Sequence, residues 1–298
     1  SDGSFLKLPI NYSIVTNIDN EHLEFYKNLK NLENSFLKFI EKTPPTGKSI
    51  ICIDSKRVKK IFSKIKNKNI LTFGESKKAD YKISNIRYKI DYSSFDLTYL
   101  GNNIKKKKVK NIFVKLIGKH NVLNAAAAVT LCLNLGVDQK IIKKSLKQFS
   151  GVQRRMTKIF SNNKNDFYDD YAHHPTEIKS ILEGLKNVYK DRKIISVFEP
   201  HRYSRVLSLK NDFFASFVNS DVVLLCPLYA AGEKRNLKYN LFNFAKQVAK
   251  VSNTQVIIIN NQNDLNNYLG KNLISNELIV GMGAGLISKW MRQIKFKL

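Results

Sequence analysis

Apolar positions along the chain follow helical and strand rhythms in turn. Leu29, Leu32, Phe36, Leu37, Phe39 and Ile40 recur at three- and four-residue intervals, which predicts a helix over 29–41. Short apolar runs predict strands at 13–17, 49–53 and 70–73, with a second helix over 54–65. Pro44-Pro45-Thr46-Gly47 interrupts the first helix before the second strand. From Tyr81 to Ile117 apolar and polar residues alternate, as at Phe95, Leu97 and Tyr99, and Gly101-Asn102-Asn103 supplies a hairpin turn. This segment reads as an antiparallel meander attached to an α/β core. Helices follow over 121–135, with four consecutive alanines and a stop at Gly136, and over 137–149.

Ser150-Gly151 reads as a linker. Beyond it a fresh alternation begins, with strands at 167–170, 194–198, 222–226, 256–259 and 278–280. Helices fall between them at 175–189, 207–218, 240–250 and 262–269. Strand–helix alternation of this kind implies a mostly parallel sheet with right-handed crossovers. A chain of 298 residues is long for one core. We therefore expect two α/β domains, 1–151 and 152–298.

Composition narrows the function classes. No apolar run reaches the roughly 20 residues of a membrane helix. The start Ser1-Asp2-Gly3-Ser4 has neither the basic end nor the apolar stretch of a signal peptide. Cys52, Cys132 and Cys226 lie far apart inside apolar runs, a pattern of buried thiols in a reducing compartment, so a cytoplasmic location is expected. The net charge of +27 raises the question of a nucleic-acid partner. Apart from Lys105–Lys108, however, the lysines are scattered, and aromatics do not interleave with them on any one element. General solvated lysine is the favoured reading, and a basic nucleic-acid-binding module stays as the alternative from another class.

Candidate chemistry concentrates in two segments. Asp169-Asp170-Tyr171-Ala172-His173-His174-Pro175 and Glu199-Pro200-His201-Arg202-Tyr203-Ser204-Arg205 each follow an apolar run. Open α/β sheets bind ligands outside the carboxyl ends of their strands. Arg202 and Arg205, three apart at a strand-to-helix junction, can face one anion, a carboxylate or phosphate. Read alone, His173 and His174 also suit a helix N-terminal turn before Pro175. Zinc binding by the Asp-His-His group is disfavoured, because neighbours on a tight turn rarely converge on one ion. Two phosphate-loop look-alikes are set aside. Thr46-Gly47-Lys48-Ser49 has Lys42 where the motif needs its first glycine, and a strand follows instead of a helix. Gly281-Met282-Gly283-Ala284-Gly285 reads as a tight strand-to-helix turn.

Taken in order, several segments resemble the Mur ligase family of bacterial peptidoglycan synthesis. They are Ser1–Phe5, Val15–Ile18 with His22, Gly118–Ala125, Gly151 with Arg154-Arg155, Asp169–Pro175, Glu199–Arg205 and Tyr229-Ala230-Ala231-Gly232-Glu233. The resemblance runs the length of the chain and is specific as a set. It implies a partial central ATP-binding domain, an α/β sheet with a small antiparallel meander, followed by a Rossmann-like C-terminal domain. It also implies that the UDP-binding domain and the true phosphate loop lie upstream, so that this chain alone is inactive. The implied reaction joins L-alanine to UDP-N-acetylmuramate: the muramate carboxylate takes the γ-phosphate of ATP, and the alanine amine attacks the acyl phosphate. A murein-peptide-recycling ligase of the same superfamily is the nearer alternative. The implied cofactors are ATP and Mg2+, with no membrane partner.

By the same resemblance His22 is a metal-site residue. His120, Asn121 and Asn124 contact adenine, with helix capping by Asn as the competing reading. Arg155 reaches the ATP phosphates, although Met156 and Thr157 depart from the family's usual aromatic-then-acidic pair. Asp170 holds the ribose. Tyr171, His173, Arg202 and Arg205 form the substrate pocket, with His173 and the two arginines as the catalytic group, and His201 orients the cluster. Tyr229–Glu233 is expected near the pocket with no chemistry of its own.

Overall fold

The computed structural model describes residues 2–66, 69–101 and 105–294. Ser1, Asn102 and Asn103, which the sequence reading used, lie outside the described residues. The chain divides into two compact units, Ser1–Ser150 and Gly151–Leu298, a division one residue ahead of the expected boundary.

The first unit runs β1 (Tyr12–Val15), α1 (Leu23–Tyr26), α2 (Leu29–Glu41), β2 (Lys48–Cys52), α3 (Lys56–Phe62), β3 (Ile70–Gly74), β4 (Tyr81–Tyr88), β5 (Ser93–Leu100), β6 (Lys106–Val114), α4 (Lys119–Asn134) and α5 (Gln139–Gln148). Among the described residues these strands form one sheet in chain order. β1 to β4 are parallel, and β5 and β6 fold back antiparallel. The meander is therefore not an appendage. It continues the parallel sheet through the pairing of Phe73 with Tyr81 and Gly74 with Lys82. Alternation along β2 covers both faces: Ile50 and Cys52 pack with Val122, Ala125 and Ala126 of α4, while Ile51 and Ile53 pack with Leu32 and Ile40 of α2 and Val58 of α3. The expected helix over 54–65 shrinks to α3. Asp54 accepts the backbone N–H groups of Glu75 and Ser76, and the Ser55 side chain caps the helix start.

The second unit runs β7 (Thr157–Asn162), β8 (Asn165–Asp170), α6 (Pro175–Val188), β9 (Lys193–Phe198), α7 (Tyr203–Ser208), α8 (Lys210–Phe214), β10 (Val222–Leu225), α9 (Leu241–Ser252), β11 (Gln255–Ile258), α10 (Gln262–Asn272), β12 (Glu277–Met282) and α11 (Ile287–Arg292). Its strand order is β11-β10-β9-β12-β8-β7, parallel except for β7 at one edge. β7 was not expected from the sequence, because Lys158, Ser161 and Asn162 leave too few apolar positions to show a period. The single helix expected over 207–218 is instead the pair α7 and α8, broken at Leu209 (φ −113°). The break lets Phe213 and Phe217 pack on Phe198 of β9. Val197, the neighbour of Phe198, faces the other layer with Leu265 of α10 and Met291 of α11. Helices thus cover both faces of a doubly wound, Rossmann-like sheet.

All three cysteines are free. Cys52 and Cys226 are buried, whereas Cys132 is only half-buried. Among the described residues no helix is long and apolar enough to cross a membrane.

Candidate functional site

In the second unit the two chemistry-bearing segments meet at the carboxyl ends of β8 and β9, with the turn after β12 between them. Each is placed by local rules. The turn after β8 ends in a capping box: the His174 ring accepts from Thr176 N–H, and the Glu177 carboxylate accepts the N–H groups of His173 and His174. Pro175 occupies the first helical turn, where its missing N–H costs nothing. His174 is thereby a structural cap, and the helix-start reading holds for it. His173 is used differently. Its Nδ1 lies 2.8 Å from the Tyr171 carbonyl, and its ring packs edge-on against both Tyr171 and His201.

After β9, His201 stacks on Tyr229 (centroids 5.7 Å apart, planes 19° apart). Arg205 donates through Nη1 to His201 Nδ1 at 2.9 Å. A guanidinium can only donate, so His201 Nδ1 accepts and its proton sits on Nε2. Burial, then the charges of Arg205, His173 and Arg202, push His201 down to about 4, so the ring is neutral near neutral pH. Arg202 has a positive φ of 66°, a costly conformation for a side-chain-bearing residue. Its N–H bonds the Tyr229 carbonyl at 2.9 Å.

The floor of this site is the glycine turn 283–285. Glu199, buried beneath it, accepts the Leu286 N–H at 2.9 Å, and its burial raises its pKa. A side chain at Gly285 would meet the Tyr229 ring and the Glu199 carboxylate, which is why glycine is needed there. Close packing, not a dinucleotide, accounts for these glycines. Arg154 lies over the Tyr171 ring (4.6 Å) and donates to the Gly283 carbonyl. Arg155, the arginine singled out from the sequence, is half-exposed, 6.0 Å from the same ring and 3.8 Å from Glu177. Asp170 is almost fully buried, and its two oxygens accept the N–H groups of Met156 and Ala172. Burial outweighs those bonds and raises it to about 6.

In the first unit the corresponding edge is a row of ion pairs. Arg57 pairs with Asp19 and bonds Asn20, Asp54 holds the turn at Glu75, and Glu75 pairs with Lys119 at the start of α4. Asn121 is buried, and its amide donates to the Ile117 carbonyl at 2.8 Å; the helix start itself is Gly118, with no side-chain cap. Asn124 is exposed one turn on, and His120 is half-buried. His22 lies 3.4 Å from Glu24 and 3.8 Å from Glu21. Among the described residues no three His, Cys, Asp or Glu side chains converge to hold a metal. Gly47 of the first phosphate-loop look-alike closes a turn onto Pro44 and packs against the Asn11 backbone, just ahead of β2.

Glu177, Glu199 and Glu233 escaped the sequence reading as site residues. A carboxylate three residues after His174 is a helix-start signature that could have revealed Glu177. Glu199 and Glu233 act across distant segments and leave no local pattern.

Two α/β units, the second gathering His173, His201 and Arg205 at its strand ends, have the architecture of proteins that bind ligands at the carboxyl edge of a sheet. The Mur ligase middle domain matches residues 2–132, and the Mur ligase, glutamate ligase domain matches residues 154–285. The chain belongs to the Mur ligase family. It is 46% identical over 294 residues to UDP-N-acetylmuramate–L-alanine ligase of Pelagibacter ubique, covering 99% of this chain and 63% of that protein. Its fold is similar to UDP-N-acetylmuramate–alanine ligase from Thermotoga maritima (TM-score 0.76, 24% identity, 98% of this chain and 60% of the other). It is also similar to a MurF ligase from Thermotoga maritima in complex with ADP (TM-score 0.70, 14% identity, 97% of this chain and 62% of the other). The chain thus spans less than two thirds of the length of these relatives.

Proposed function

We propose that this chain is the ATP- and amino-acid-handling part of a ligase that joins L-alanine to UDP-N-acetylmuramate through an acyl phosphate. The observation that carries this reading is the closed cluster of His173, His201, Arg202 and Arg205 at the ends of β8 and β9, in a chain so similar to an alanine-adding ligase. Arg202 and Arg205 neutralise a carboxylate of the substrates. Neutral His201 accepts from Arg205 and so aims it, and Tyr171 and His173 wall the pocket. Fixed cations facing the reacting carboxylate and its leaving phosphate supply electrostatic stabilisation, commonly the largest single contribution to such catalysis.

For the nucleotide we assign His120 and Asn124 to adenine. Asn121 shapes the helix start beside them through one amide N–H bonded to the Ile117 carbonyl. Arg155 reaches phosphate from its exposed position. Asp170, bonded twice to backbone, supports the turn bearing Arg155 and Met156 instead of grasping a ribose itself. Magnesium would accompany ATP, with His22 contributing at most one ligand. The compartment consistent with ATP and free thiols is the cytoplasm.

Phosphate release by the full-length protein, given ATP, magnesium and UDP-N-acetylmuramate, tests the reading. Release should require L-alanine and should not occur with the free murein tripeptide in its place. Release driven by the tripeptide alone would instead assign the recycling ligase.

A further inference from the structure

The segment Tyr229–Glu233 has no chemistry in the reaction proposed above, yet it is bonded and stacked directly onto the cationic segment. Tyr229 N–H bonds the Pro200 carbonyl at 2.8 Å, and Arg202 N–H bonds the Tyr229 carbonyl at 2.9 Å. This short parallel bridge between His201 and Tyr229 extends the sheet beyond the ends of β9 and β10. The His201 and Tyr229 rings stack across it. Positive φ angles at Ala231 (50°) and Gly232 (85°) then turn the chain back. Glu233 thereby reaches Ser204, accepting its N–H at 3.0 Å and its hydroxyl through the other oxygen. Ser204 sits between Arg202 and Arg205 in the first turn of α7.

We propose that Tyr229 and Glu233 are positioning residues: a clasp from the β10 loop that holds Arg202 and Arg205 aimed at one anionic substrate group. The physical need is plain. Arg202 is held at a positive φ, a conformation that relaxes unless its surroundings over-determine it. Two like charges three residues apart also repel, and Glu233 lies near enough to Arg202 to feel its charge. Burial alone would raise the Glu233 carboxyl, but its bonds to Ser204 and the Arg202 charge hold it below its usual range, so it stays ionised. Its attachment is to Ser204, the residue that lies between the two arginines in the chain. Gly285 completes the device, since Tyr229 packs where its side chain would be.

This inference rests on the ligase reading, and two measurements separate them. The first is steady-state kinetics of the full-length protein bearing Glu233→Ala or Glu233→Gln. Misaiming a clamp by about an ångström costs roughly tenfold to a hundredfold. Glu233→Ala should therefore raise KM for L-alanine or UDP-N-acetylmuramate about tenfold, with the ATP KM within about twofold of wild type. Glu233→Gln keeps an acceptor for the Ser204 N–H but loses the charge, and should recover only part of the loss. An equal rise in all three KM values, or none, overturns the proposal. The second needs no turnover: 15N chemical shifts of the His201 ring in this 298-residue chain. Wild type should show the proton on Nε2 and a hydrogen-bonded Nδ1. Glu233→Ala and Tyr229→Leu should both shift Nδ1 towards its unbonded value. Unchanged shifts in both variants would show that the clasp positions nothing, whatever the activity. A wild-type enzyme without alanine-dependent phosphate release would defeat the ligase reading alone.

Discussion

At the carboxyl edge of the second sheet the site side chains touch one another. His173 meets His201, His201 accepts from Arg205 and stacks on Tyr229, and Arg154 covers Tyr171. At the corresponding edge of the first sheet each nominated side chain answers to its own surroundings. Asn121 bonds Ile117, and His22 faces Glu21 and Glu24. At one edge the nominated side chains bond and stack on each other, and at the other they bond mainly to their own local segments. Mutations should therefore act differently on the two edges, and three substitutions or titrations can break or sharpen that contrast.

The largest effect is expected beneath the assembled edge. Asp169 is fully buried on β8 and accepts from Ser288 (2.6 Å) and Arg292 (3.0 Å) of α11, which fastens the glycine turn below the pocket. Removing one partner of a buried ion pair costs roughly 3–5 kcal/mol, and because Arg292 is partly exposed we expect about 2 kcal/mol for Asp169→Ala. Urea unfolding of the chain measures this. A loss below about 0.5 kcal/mol, the range of ordinary surface substitutions, would mean that the pocket floor does not depend on this link.

A smaller and split effect is expected at the first edge. Asn121→Ala removes a buried amide bond and should lower stability by about 1 kcal/mol. Asn124→Ala, at an exposed position, should leave the unfolding midpoint unchanged and weaken ATP binding instead. Calorimetric titration of ATP alongside thermal unfolding separates the two. Equal behaviour of both variants would erase the division between scaffold and contact.

The mildest expectation is a pH dependence. His201 takes up a proton only near pH 4 in the fold, against about 6.5 when unfolded. Between those values the unfolded chain binds more protons, so the His201 contribution to stability is complete above pH 6.5 and declines as pH falls towards 4. His201→Gln should flatten part of that decline in unfolding curves recorded over this range. Asp170, raised to about 6, acts in the opposite sense: its contribution is complete below its unfolded value and falls as pH rises through 6.

Much of this was legible in the sequence, and the gaps have physical causes. The helix over 29–41 coincides with α2 because its apolar positions keep one period and Asn28 caps it. The strands of the second sheet are legible because burial on both faces makes them continuous apolar runs. β7 is a half-exposed edge strand and carries no such run. The break at Leu209 is set by where Phe213 and Phe217 find Phe198, a tertiary demand that local spacing does not encode. The same holds at the site. Histidines and arginines at strand ends announce themselves, whereas Glu199 and Glu233 act on turns 87 and 29 residues away and look like ordinary acids. Between Arg154 and Arg155 the resemblance chose the second, and nothing local in the sequence marked Arg154. The structure separates them, one folded onto Tyr171 and the other facing outward.

The most direct test of the central claim is steady-state kinetics of Arg205→Ala in the full-length protein, with ATP, L-alanine and UDP-N-acetylmuramate each varied in turn. Loss of a fixed charge facing the reacting carboxylate should lower kcat/KM for L-alanine or UDP-N-acetylmuramate by about a hundredfold while the ATP KM stays within about twofold. A variant with wild-type kinetics for both, or one whose only defect is in ATP binding, would contradict the assignment of this edge to the substrate carboxylate.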